Sequence, residues 1–151
     1  MNMNGSYKIL VLNGPNLNMT GTREVNYYGE ATLDSINNAL SEAALSLGII
    51  TEFFQSNHEG DLIDCIHSAN GKYDGIIFNA GAFTHYSYAI RDAISSVDVP
   101  TVEVHMSNVA KREEFRHVSV ISPVCIGTIA GFGSFSYHLA LAALIERFKK
   151  D

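Results

Sequence analysis

Cysteine, basic charge and long apolar runs are what this sequence has little of, and each shortage excludes something. The two cysteines, Cys65 and Cys125, lack CxxC spacing and fall in a helix-like and an apolar strand-like context. They read as buried free thiols in a reducing compartment rather than as a disulfide or metal framework. Ten basic residues stand against 16 acidic ones, for a formal net charge of −6. There is no basic footprint for nucleic acid or an anionic membrane, so neither is expected as a partner. An anionic substrate would need local arginines working against the overall field. No stretch approaches the roughly 18 apolar residues that span a bilayer. The segment Met1–Ser6 is polar and the run Ile9–Leu12 is too short for a secretory h-region, so a cytoplasmic protein is expected. Internal repeats, low-complexity tracts and linkers are also missing.

What is present is a chain of 151 residues with 46% hydrophobic content, enough to bury one core. Residues 1–151 are expected to form a single domain, with 1–6 as a flexible tail. Short apolar, β-branched runs suggest strands at Tyr7–Leu12, Ile49–Gln55, Gly75–Phe78, Thr101–His105 and Val118–Ile121. They are nearly continuous in apolar character, as parallel strands covered on both faces are. Between them run stripes of helical period. One comprises Leu33, Ile36, Leu40, Ala43, Ala44 and Leu47 and is stopped by Gly48. A second, Leu62, Ile63, Ile66 and Ala69, follows an acidic start at Glu59 and Asp61. Ala89, Ile90, Ala93 and Ile94 form a third, and a last helix runs from about Ser134 to Phe148 with Arg147, Lys149 and Lys150 at its end. This βαβα rhythm predicts an α/β fold: a flavodoxin-like, doubly wound, five-stranded parallel sheet with right-handed crossovers.

Ligands of such sheets sit beyond the carboxyl ends of the strands. The segments there, Asn13–Tyr28, Ser56–Gly60, Asn79–Tyr86 and His105–Arg116, hold most of the polar, glycine, histidine and arginine residues. The polar stretch 14–30 is long for a small domain and reads as a lid or binding loop. Its opening Asn13-Gly14-Pro15-Asn16-Leu17-Asn18 lacks both GxxxxGK[ST] and GxGxxG, which argues against a nucleotide, and it also fits a self-satisfied asparagine-rich turn. Within the loop, Arg23 precedes Tyr28 by five residues. A guanidinium near a phenol favours phenolate, which would make Tyr28 a general base; adjacent Tyr27 is the rival, and an ordinary surface pair is the bland alternative.

In Thr101–His105 the strand period puts Glu103 and His105 on one face. A charge inside an inner parallel strand is costly unless paired, and a Glu that fixes an imidazole's tautomer is the construction of a general acid. A purely structural buried ion pair fits the same pattern. Asn79 and His85 offer uncharged groups to substrate hydroxyls, with Thr84 available to cap the next helix. After Ser107 the charge run supplies Arg112 and Arg116, suited to gripping a carboxylate or else to a solvated turn. His58-Glu59 does not continue as HExxH, and the histidines show no ligand spacing, so no metal is expected. The main rival reading is a flavodoxin-like binding or regulatory module without catalysis; a second is a different α/β lyase or hydrolase using His105, and no GxSxG elbow supports the hydrolase.

Taken together, Leu12–Asn18, Gly21–Gly29, Gln55–Gly60, Phe78–His85 with Arg91-Asp92, Val102–Arg116, Ser122-Pro123 and Gly127–Gly133 resemble the type II 3-dehydroquinate dehydratases over nearly the whole chain. The resemblance implies a lyase of the shikimate pathway, in aromatic amino acid biosynthesis, that converts 3-dehydroquinate to 3-dehydroshikimate by trans-dehydration without metal or cofactor. It implies Tyr28 as base, Arg23 as the cation keeping it ionised, His105 oriented by Glu103 as acid, and Asn16 as holder of a water at the enolate. Asn79, His85, Met106, Ser107 and Arg116 would bind substrate, Met106 and Ser107 through backbone amides, and Arg112 would be a lid arginine. Asp92 would reach a neighbouring subunit's site in a homododecamer of trimers. Val25 stands where the family usually has proline, which implies a looser lid, and Val118 where a second histidine is common.

The lysines bear on mechanism independently of the resemblance. Lys8, Lys72, Lys111, Lys149 and Lys150 fall at a strand start, a turn, a charge run and the terminus, none in the apolar setting that activates an amine. Borohydride treatment of the enzyme with 3-dehydroquinate is therefore expected to leave mass and activity unchanged. A reduced adduct on any lysine, seen by mass spectrometry, would contradict this.

Overall fold

In the computed structural model, residues 5–22 and 31–150 are described. Five parallel strands, β1 (Lys8–Asn13), β2 (Ile50–Gln55), β3 (Gly75–Asn79), β4 (Thr101–His105) and β5 (Gly127–Ala130), form one sheet in the order β2-β1-β3-β4-β5. Four α-helices cover it: α1 (Leu33–Ser46), α2 (Glu59–Ala69), α3 (Tyr88–Ser95) and α4 (Phe135–Phe148). The strand period sorts the core into two layers. Ile9, Val11, Val102, Val104 and Met106 point toward α1 and α4, and meet Ile36, Leu40, Ala44, Tyr137, Leu141 and Leu144. Leu10, Leu12, Ile76 and Phe78 point the other way, against Leu62 and Ile66 of α2 and Ile90 and Ile94 of α3. This is the flavodoxin-like doubly wound arrangement, with its topological switch point between β1 and β3.

Local chemistry accounts for the helix ends. Thr32 caps α1 by accepting from the Ser35 N–H, and Gly48, at φ 73°, releases the chain after its C-terminus. Glu59 and Asp61 occupy the first turn of α2. Ser87, not Thr84, caps α3, its hydroxyl accepting from the Ile90 N–H. Thr84 is used elsewhere, as described below. Among the described residues, no helix is long and apolar enough to cross a membrane.

The fifth strand is a correction. The apolar run Val118–Ile121 is not β-structure; it folds back over the ends of β3 and β4, with Val118 exposed and the Val120 N–H donating to the Thr84 carbonyl. The strand lies instead at Gly127–Ala130, a sheet edge so short and so partly exposed that it needs no continuous apolar run. Two stripe positions also face outward: Leu47 lies past the end of α1 and is exposed, as is Ala89 in the first turn of α3. Cys65 and Cys125 are free thiols, half-buried rather than buried, and Cys125 precedes β5 instead of lying in a strand.

Candidate active site

Asn13 and Asn79 end the adjacent strands β1 and β3 and are register partners at the switch point. Both are buried, and Tyr137 of α4 ties them together: its hydroxyl donates to Asn13 Oδ1 at 2.6 Å and accepts from Asn79 Nδ2 at 3.0 Å. Asn79 Oδ1 accepts from the Gly81 N–H at 3.1 Å, so the amide is fixed in both directions with one Nδ2 proton left over.

The chain leaving β1 presses against the chain leaving β3. The Gly14 N–H donates to the Asn79 carbonyl at 2.7 Å, and a Cβ on Gly14 would stand 2.6 Å from the Ala80 carbonyl oxygen. Only glycine allows that approach. Asn16 then adopts φ 68°, the left-handed region that asparagine tolerates best after glycine. Its N–H donates to Asn57 Oδ1 at 2.9 Å, and Gln55 Nε2 donates both to that oxygen and to the Gly14 carbonyl. A short 3-10 turn at Leu17–Met19 follows. Arg23, Val25, Tyr27 and Tyr28, with the remainder of the 14–30 segment from residue 23 on, lie outside the described residues.

On β4, Glu103 and His105 share a face as the strand period requires, with His105 Nε2 3.2 Å from Glu103 Oε1. A carboxylate only accepts, so Nε2 carries a proton and Nδ1 is the nitrogen left to gain and lose one. Glu103 is completely buried. Burial alone would raise its pKa, but hydrogen bonds from His105, Ser119 and Thr84 outweigh this and hold it at about 2. Thr128, the register partner of Glu103 on β5, donates to Oε2 at 2.8 Å.

His85 stacks near His105, ring centroids 6.5 Å apart. Its Nδ1 lies 2.8 Å from the Val118 carbonyl and must carry the proton there, so in the neutral ring Nε2 is an acceptor. Burial lowers the His85 pKa against the raising effect of that carbonyl, and the His105 and Arg116 charges lower it further. The balance favours the neutral form of His85. Arg112 is buried beside Ser107, Nη1 to Oγ 3.3 Å, and Arg116 is oriented by Glu113 at 2.7 Å.

One cleft joins these groups. Asn16, Asn79, His85, His105, Met106, Ser107, Arg112 and Arg116 all line it. Glu103 lies behind His105, and Asp92 is exposed on α3, away from the cleft of its own chain. The arrangement offers two arginines to an anion, uncharged hydrogen-bonding groups to hydroxyls, and one imidazole backed by an ionised carboxylate. Sequence reasoning missed Tyr137, Ser119 and Thr128, and read Thr84 as a cap. No local pattern singles them out.

The profile of the class II dehydroquinases matches residues 7–145. The chain belongs to the class II dehydroquinase family. A 3-dehydroquinate dehydratase of Bacillus cytotoxicus is 59% identical over 140 residues, 93% of this chain and 96% of that protein. One from Bacillus cereus is 55% identical over 95% of this chain and 98% of its own. The crystal structure of a type II dehydroquinase from Butyrivibrio crossotus superposes with a TM-score of 0.91 at 52% identity, covering 92% of this chain and 97% of that one. Family membership makes the chain a lyase.

The depressed pKa of Glu103 has a consequence for stability. Its folded value of about 2 lies below the ordinary 4.5, so the native state binds fewer protons than the unfolded chain. This contribution is complete above about pH 4.5 and is lost as pH falls toward 2. Urea unfolding measured across that window should show a weaker pH slope for Glu103→Gln than for the wild type. An unchanged slope would mean that Glu103 is not held ionised.

Proposed function

We propose that the chain dehydrates 3-dehydroquinate to 3-dehydroshikimate by a trans elimination divided between Tyr28 as base and His105 as acid. The observation that carries this reading is the His105 Nε2 contact to the buried, ionised Glu103, 3.2 Å, at the wall of a cleft bearing two arginines. Tyr28, ionised by the nearby charge of Arg23, takes the proton from C2, next to the ketone, and an enolate forms. Asn16 holds a water against the enolate oxygen. The enolate collapses, the C1–O bond breaks, and the hydroxyl leaves as water with the proton from His105 Nδ1. Hydroxide is a poor leaving group unless protonated, which is why an acid is needed.

Asn79 and His85 meet the substrate hydroxyls, the first with its spare Nδ2 proton and the second with Nε2. The substrate carboxylate is met by the Met106 and Ser107 backbone amides, with Arg116 supplying positive charge in a chain of net charge −6. Residues 14–30 serve as the lid, with Arg112 meeting it. Asp92 serves a neighbouring subunit's cleft, in a dodecamer built of trimers.

Formation of the conjugated enone carboxylate, followed by ultraviolet absorbance, tests the reaction itself. In the same assay Tyr28→Phe and His105→Ala should each lower kcat by at least about 10²-fold. His105→Ala should retain some exchange of the C2 proton with solvent. Arg23→Ala should move the acid limb of the pH–rate profile upward, because the phenol then ionises only at higher pH. Tyr27→Phe should be nearly silent; a dead Tyr27→Phe with an active Tyr28→Phe would move the base by one residue.

Asp92→Ala is expected to raise KM while leaving the melting temperature unchanged. A dilute monomer with full activity would refute the shared site.

A further inference from the structure

The Glu103 carboxylate is held by more than its histidine. Thr84 Oγ1, from the 3-10 turn Gly81–His85, donates to Oε1, and so does Ser119 Oγ at 2.5 Å, from the loop after His117. Thr128 Oγ1, on β5, donates to Oε2 at 2.8 Å. Each hydroxyl has a single proton, and a carboxylate can only accept, so all three protons are committed to Glu103. The Thr84–Ser119 contact at 3.2 Å therefore carries no proton of its own. The hydroxyls are themselves held from behind. The Ser122 N–H donates to Ser119 Oγ at 3.0 Å, and Ser122 Oγ, 2.9 Å from Thr128 Oγ1, must be the donor there. Two further bonds pin the loop, Val120 N–H to the Thr84 carbonyl at 2.8 Å and Arg91 Nη1 to the Val120 carbonyl at 3.2 Å.

None of the three hydroxyls lines the cleft that holds Asn79, Ser107 and Arg112; they line an adjoining one, which shares His85, His105, Val109 and Arg116 with it. We infer that Thr84, Ser119 and Thr128 are positioning residues for the reaction, fixing the Glu103 carboxylate so that His105 keeps one ring orientation and one tautomer. The inference rests on the assignment of His105 as the acid. A hydroxyl that merely satisfied a buried charge would add stability and leave the ring alone. A hydroxyl that fixes the direction of Oε1 decides where Nδ1 points, and therefore the rate of the step that uses it.

Because the hydroxyls do not touch the substrate cleft, their loss should appear in kcat and not in KM. Ser119→Ala and Thr84→Val should each lower kcat about 10-fold, the effect of losing one hydrogen bond to a charged group, with KM little changed. Thr84→Ser should restore the rate, because it returns the hydroxyl. In a His105→Ala background the same substitutions should have no further effect. At a pH high enough for His105 to be neutral, nitrogen NMR of the free wild-type enzyme should show the single Nε2–H tautomer of His105, and Ser119→Ala should give a mixture. Folded variants with wild-type kcat and an unchanged tautomer would overturn the inference. A loss of equal size in the His105→Ala background would overturn it too. Should Thr84→Val fail to fold, Ser119→Ala and Thr128→Val carry the same test. If His105→Ala alone retains full kcat, the acid assignment falls, while the tautomer measurement still decides whether the hydroxyls orient the ring.

Discussion

A negative charge with no access to water, in the middle of an inner strand, is the constraint around which the active end of this fold is arranged. Leaving a buried charge without its partners costs about 3–5 kcal/mol. Glu103 is offset by four donors brought from four parts of the chain: His105 on its own strand, Thr84 after β3, Ser119 in the loop over the strand ends, and Thr128 on β5. The path of the chain between Thr84 and Thr128 is largely the path needed to bring them there. Val118–Ile121 runs over the strand ends instead of joining the sheet, and on that course Ser119 reaches Oε1 and the Val118 carbonyl meets His85. The loop that serves the buried carboxylate thus also meets the second cleft histidine.

The other half of the cleft is governed by close backbone approach. Gly14 lets the loop after β1 lie on the Ala80 carbonyl, and the Asn13–Tyr137–Asn79 chain fixes the two strand ends to α4. Asn16 reaches the cleft through a left-handed turn supported by Asn57 and Gln55. This wall of the cleft is therefore built from backbone and amides, which hold direction without charge. Among the described residues, Arg112 and Arg116 bring positive charge to the same cleft.

How much of this was legible follows from the range of the interactions. β1 and β3 are apolar on both faces because helices cover both, so a continuous run of Ile, Leu, Val and Phe marks them, while β2 and β4 show as shorter apolar pairs broken by polar positions. β5 was misplaced because Gly127-Thr128-Ile129-Ala130 is a half-exposed edge with little to bury, whereas Val118–Ile121 has the composition of a strand and none of its hydrogen bonds. The Glu103–His105 pairing was legible because two positions on one strand always share a face. The hydroxyls around Glu103 were not, since Thr84 is 19 residues away, Ser119 16 and Thr128 25. Thr84 satisfied every local rule for a helix cap, and the longer-range demand of a buried charge overrode it. Tyr137 escaped notice for the same reason, lying 124 residues from Asn13.

The distribution of those donors along the chain also ties an inner strand to the edge of the sheet. Glu103 belongs to a strand whose neighbours are β3 and β5, and two of its four donors, Ser119 and Thr128, come later in the chain than β4. A β4 docked onto β3 before Ser119 and Thr128 arrive would carry a desolvated carboxylate with only Thr84 and His105 to meet it. The edge strand β5, the shortest of the five, therefore supplies a donor that the buried charge of its inner neighbour needs, and the carboxylate is fully met only when that edge is in place.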